Sequence, residues 1–226
     1  MKKLFALLIV LLLLVIGWFF ASPYYRVYQL KNAYDSHNAS VIADHIDFAS
    51  VQRDIKSQLT PVLVTKVQSL TQSPLARLVG VHVDENAMVQ KLVTQAVDNA
   101  VTPEGVASII TTQGNVASLN NDVKLLGGLT AIAMDKIKLN PATLADLATA
   151  KSTQELNQKL MAQLKSSDVT KGNASNGNSE TSKPTASYCG INCFKVTTQV
   201  QGYPLNVEMV RQGFSDWQIV KVKLPL

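Results

Sequence analysis

The feature that most constrains this chain is the run Leu4 to Ala21. It has eighteen residues of Leu, Ile, Val, Phe, Ala, one Gly and one Trp, with no charge, and only Met1, Lys2 and Lys3 precede it. At about 1.5 Å per residue, a helix of that length covers about 27 Å, close to the hydrocarbon thickness of a bilayer. The rival reading is a cleaved secretory signal, whose apolar part runs about 7–15 residues and ends in small residues three and one before the cut. Ala21 fits the last of those positions, but Phe19 stands at the other and Pro23 lies just beyond. The run therefore reads as an uncleaved membrane anchor over residues 1–22, with cleavage as the alternative. Trp18, Tyr24 and Tyr25 fit an interfacial aromatic belt, and the two tyrosines fit the packing of the first soluble helix equally well. Lys2 and Lys3 precede the span, whereas Arg26 and Lys31 after it are partly offset by Asp35. That bias keeps the N-terminus inside and sends the body across the membrane.

The residues beyond the anchor suffice for one domain with a real core. Net charge is +5, and without Lys2 and Lys3 there remain 19 basic and 16 acidic residues. That balance is mild, and the basic residues form no stripe, which argues against a nucleic-acid partner. The chain has two cysteines, Cys189 and Cys193, in the order C-G-I-N-C. In an oxidising compartment such a pair is a disulfide candidate, although a loop this small stabilises little beyond local order. Free thiols and redox chemistry are the alternatives. A redox motif, however, wants C-x-x-C opening a helix, and Phe194 onward alternates like a strand. His37, His45 and His82 show no ligand spacing with the cysteines or with one another, so no metal site is indicated.

Periodicity predicts an α+β fold, with a helical body over 23–164 and a C-terminal antiparallel sheet over 188–226. After Pro23 an amphipathic helix runs to about His37, and a short turn carries Val41, Ile42 and His45. Asp47 caps a long helix interrupted or kinked at Pro61. Asp84 and Thr102-Pro103-Glu104 start two more helices, the second with threonine as cap and proline at its first position. Further helices begin at Asp122, at Asn140-Pro141, and at the capping box of Ser152 and Glu155. Residues 165–187 are rich in Ser, Asn, Gly, Thr and Lys and read as a flexible linker. Three alternating runs follow: Phe194 to Val200, Leu205 to Met209, and Trp217 to Leu224. They make a three-stranded meander that needs helices against its apolar face.

Several stretches carry a family resemblance: Ala21-Ser22-Pro23-Tyr24 after the apolar run, Leu30 through Asn38-Ala39 to Ile46-Asp47-Phe48, the Val51 to Leu59 helix, Thr102-Pro103-Glu104-Gly105, and Trp217 to Pro225. In these the chain resembles a bacterial family classed as domain of unknown function 2939. The resemblance covers most of the chain, least over 114–187, and implies an envelope protein with no functional residues to carry over. The order of elements is also similar, at the level of fold alone, to nuclear-transport-factor-2-like and cystatin-like architectures.

These features lead to a single-pass protein of the bacterial inner membrane with its body in the periplasm, or a cleaved periplasmic form. The expected role is a membrane-anchored interaction or structural module whose partners are the membrane, other envelope proteins or lipid. A carrier or sensor of an apolar ligand or lipid, held between helices and sheet, is the alternative. No catalytic, cofactor-binding or metal-ligating set is identified. His45 beside Asp44 and Asp47 lacks a nucleophile and reads as a solvated histidine.

Overall fold

The computed structural model describes residues 2–71, 84–112, 115, 118–137, 155, 158–159, 162, 184–200 and 203–226. Helix α1 spans Lys2–Asp35 and passes through Pro23, so the apolar run and the amphipathic segment after it form one element. It is the one described helix long and apolar enough to cross a membrane. Asn38 caps the short α2, Ala39–Ala43. Helix α3, Phe48–Thr71, continues through Pro61 rather than breaking there. It buries Val51, Ile55, Leu59, Leu63 and Val67, a four-residue spacing that keeps one face on the core. Helices α4, Glu85–Ala100, and α5, Pro103–Thr111, begin at the Asp84 and Thr102 caps expected of them. Helix α6, Asn121–Ala133, is capped by Asn120, slightly earlier than Asp122 suggested. It stops before Ile137, with Asp135 in the left-handed region at φ 58°. The expected helix from Asn140-Pro141, most of the one from Ser152, His82 and most of the stretch read as a linker lie outside the described residues.

The sheet has four strands where three were expected: β1 Thr185–Gly190, β2 Cys193–Val200, β3 Tyr203–Gln212 and β4 Asp216–Lys223. They are antiparallel, in the order β1-β2-β3-β4. The extra strand, β1, begins within the polar stretch. Its alternation rests on Ala186 and Tyr188 alone, and Thr and Ser around them mask it. Register places Tyr188, Phe194, Met209 and Ile219 in one row across the sheet, and Ala186, Val196, Val207 and Val222 in the next. This is the face turned to the helices. Lys195, Glu208 and Lys221 form a row on the other face, where Lys221 Nζ donates to Glu208 at 2.9 Å. One covered face and one wet face is the usual state of an antiparallel sheet.

Two apolar clusters result. One lies among α3, α4 and α6 and takes in Val222 of β4 and Leu224 just after it; the other is Phe194, Met209 and Trp217 under Val27 and Leu30 of α1. Ile219 touches both and so joins the α1 half to the helical half.

The outer edge of β4 is closed by the helical half. The Ile219 amide donates to the His45 carbonyl at 2.8 Å, and the Asp47 amide donates to the Ile219 carbonyl at 2.9 Å. Further along, the Val222 amide donates to Asp54 and the Leu224 amide to Gln58 Oε1, while Gln58 Nε2 donates to the Val222 carbonyl. A strand edge that would otherwise be open to pairing with another chain is thereby occupied.

Two predictions follow from these contacts. Replacing Gln58 by Ala orphans groups at Val222 and Leu224, and we expect a loss of about 1–3 kcal/mol in urea unfolding. The Asp47 carboxylate accepts from the Ser50 hydroxyl and amide, and these bonds hold its pKa below the ordinary 3.8. A carboxyl depressed on folding adds stability above its unfolded pKa and loses it as pH falls through the folded one. Asp47→Ala should therefore cost about 1 kcal/mol at neutral pH. Urea midpoints of the variant and wild type should converge in acid, once the carboxyl is protonated in both states.

Candidate functional site at Pro23 of helix α1

Proline at position 23 has no amide hydrogen, so the carbonyl four residues earlier, that of Phe19, loses its helical donor. Two side chains replace it. The Ser22 hydroxyl donates to the Phe19 carbonyl at 2.9 Å, and Arg211 Nη2 donates to it at 3.1 Å. Ser22 Oγ in turn accepts from Trp217 Nε1 at 3.0 Å and from Arg211 Nη1 at 3.2 Å. One donor and two acceptor sites are what a hydroxyl has, and all three are used here. Ser22 is buried, so these bonds form away from water.

Arg211 is the centre of the constellation. It continues the inward row of Val207 and Met209 on β3, where the pattern calls for an apolar residue, and it is only 7 % exposed. Its guanidinium carbon lies 3.7 Å from the centroid of the Phe19 ring and 4.3 Å from that of Trp217. Nη1 also donates to the Phe214 carbonyl at 2.7 Å. No carboxylate among the described residues pairs with it. Ring faces, carbonyls and a hydroxyl balance the charge instead, an arrangement suited to the weakly hydrated, planar guanidinium.

Rings surround this core. Phe194 packs edge-on against Tyr24 and Tyr188 at centroid separations of 4.9 and 5.1 Å, and Trp217 lies 5.9 Å from Phe194. The Tyr188 hydroxyl donates to the Phe20 carbonyl at 2.9 Å. Burial raises the pKa of that phenol, and the charge of Arg211 opposes the shift. One turn further along α1, Arg26 pairs with Asp216 and donates to His45 Nε2. The solvated reading of His45 is thereby corrected: the ring is half-buried against α1, and Arg26 is its partner rather than Asp44 or Asp47. Asp47 is occupied at the start of α3.

Chemically this site holds rather than reacts. The Ser22 proton points at a carbonyl, and His45 is engaged by a cation. No group of three or more His, Cys, Asp and Glu among the described residues is placed to hold a metal ion. Cys189 and Cys193 stand at disulfide distance, with Cα atoms 5.0 Å apart, across the β1–β2 turn. They lie on the same end of the sheet as Arg211, whose amide donates to the Asn192 carbonyl at 3.0 Å. Ser22, Arg211 and Trp217 escape sequence reasoning, although two signals for them exist. One is a Ser-Pro step inside a helical run, and the other is a lone arginine at an inward position of an alternating strand.

Residues 12–109 match the model of a family described as protein of unknown function, DUF2939, and this stretch is a domain of unknown function 2939. The match enters midway along α1 and ends in α5, so it contains Ser22 and Pro23 but none of the sheet that grips them. No curated protein matches the chain, and no solved structure does.

Replacing Ser22 by Ala strands the buried Trp217 N–H and removes one donor from the Phe19 carbonyl. The expected loss is about 1–3 kcal/mol. Because both residues act through one bond, Trp217→Phe should cost less in the Ser22→Ala background than in wild type. A double-mutant cycle should give a coupling of at least about 0.5 kcal/mol; simple additivity would show that the bond is not made.

Proposed function

With residues 12–109 assigned to the domain of unknown function 2939, we propose that the protein is a single-pass membrane module, periplasm-facing, whose uncleaved anchor is also a structural part of its body. The observation that carries this reading is the grip of β1 and β3 on the last turn of the apolar run. Arg211 uses the Phe19 carbonyl and ring, and Tyr188 uses the Phe20 carbonyl. Cleavage after Ala21 would remove all three acceptors and leave a buried guanidinium facing a gap. A buried charge deprived of its partners costs several kcal/mol. An anchor retained for tethering alone would have no need of such contacts.

The role that fits is positional: to hold a rigid interaction surface at a set height and orientation over the bilayer. Helix α1 runs unbroken from the span into the body, and the sheet clamps it where it emerges. The Cys189 and Cys193 pair, at the membrane-facing end of the sheet, fits an oxidising compartment and would be bonded in the mature protein.

Full-length chain with a C-terminal tag, made in a bacterial host, tests this. We expect it to stay in the membrane fraction through alkaline carbonate and to be digested by protease added to spheroplasts. Its intact mass should include the apolar run and be lower by the two hydrogens of a disulfide. A soluble product whose mass begins at Ser22 would overturn the reading.

A further inference from the structure

Both turns at the membrane-facing end of the sheet carry large apolar residues where turns ordinarily place Gly, Asn, Asp or Ser. Ile191 sits on the β1–β2 turn and is 64 % exposed; Phe214 sits on the β3–β4 turn and is 52 % exposed. Single exposed apolar residues are common on protein surfaces and need no account. These two differ in where they are. The Asn192 carbonyl accepts the Arg211 amide, and Arg211 reaches both Phe214 and Phe19, so the two turns lie level with the end of the apolar run. The Phe214 ring is 5.5 Å from that of Phe19. Trp18 and Phe20 on α1 are exposed as well, and the Phe20 ring packs against Phe19 and Tyr188. Neither turn, at Ile191-Asn192 or Gly213-Phe214-Ser215, contains a charged residue; Arg211 beside them is buried, and Asp216, which follows Ser215, is paired with Arg26 further along α1. The result is an uncharged apolar rim of sheet and helix, continuous with the surface of the candidate span.

We propose that this rim is a lipid-binding surface: Ile191 and Phe214 enter the interfacial layer of the same bilayer that α1 crosses, alongside Trp18 and Phe20. The proposal rests on the anchored reading given above. A bilayer is the occupant the geometry favours, because the rim is continuous with a helix that itself needs hydrocarbon around it. A protein partner seated on the rim would have to share that position with the lipid headgroups. Aromatic and aliphatic side chains at this depth set the tilt and rotation of a spanning helix. With one contact on the helix and one on each hairpin, the body would rest on three points and could not swing about its anchor.

The test uses the full chain, with its native cysteine pair oxidised, in nanodiscs of phosphatidylethanolamine and phosphatidylglycerol. A nitroxide is attached in turn at Phe214→Cys, Leu12→Cys within the span, and Lys223→Cys on the opposite end of β4. Accessibility to oxygen and to a water-soluble nickel chelate is then read by power saturation. Position 214 should be several-fold less accessible to nickel than position 223, and its oxygen accessibility should lie between those of 223 and 12. If 214 behaves like 223 while 12 is buried in lipid, the rim proposal fails and the anchor stands; if 12 is also in water, the anchored reading fails with it. Should the added cysteine disturb the native pair, Phe214→Trp in a Trp18→Phe background serves instead, with the buried Trp217 as baseline. Quenching by lipids brominated near the headgroup then supports insertion, and emission unchanged by them overturns it.

Discussion

A single carbonyl that proline leaves without a helical donor organises the lower half of this molecule. An α-helix can carry a proline in its interior only if something else satisfies the freed oxygen or the helix bends away from it. Here the Phe19 oxygen receives one bond from its own helix, through Ser22, and one from a strand nearly two hundred residues later, through Arg211. Trp217 completes the set through the same hydroxyl. A local defect in α1 has become a docking point, and the position of the sheet follows from it. Tyr188, Phe194 and Trp217 form the apolar wall that keeps water from these bonds.

The helical half is tied to that point through β4. Ile219 packs in both apolar clusters, and its backbone exchanges hydrogen bonds with His45 and Asp47 on the connection into α3. Asp54 and Gln58 extend the seam along the strand edge. The strand thus has one side in the sheet and the other stitched to a helix, and the two clusters cannot slide past each other without breaking the stitching. The Arg26, Asp216 and His45 contacts lie at the junction of α1, the α2–α3 connection and the start of β4, and add a polar tie at the same place.

Much of the architecture was legible because it is set by rules acting over a few residues. The apolar run, the caps at Asp84, Thr102 and Asp47, and the alternation of Phe194 to Val200 announce themselves. β1 was hidden because two apolar positions within a polar tract are too few for a pattern. Pro61 signals a kink or a break, yet α3 runs on through it, and α1 likewise passes through Pro23, where Ser22 and Arg211 supply what the proline leaves open. The site itself was not legible. Ser22 is separated from Arg211 and Trp217 by 189 and 195 positions, and no spacing rule relates a serine after an apolar run to an arginine and a tryptophan on late strands.

That long separation also orders events in time. Ser22 leaves the ribosome well before Arg211 and Trp217, which follow it by 189 and 195 positions. Contacts that close so large a loop form late, after local helices have had time to form. During synthesis, then, α1 is made while the Phe19 oxygen still waits for its second donor. The sheet can dock on α1 only once the β3–β4 hairpin has been made. Making the helix and fixing its orientation to the body are in this way separate steps, and the second waits on residues far along the chain.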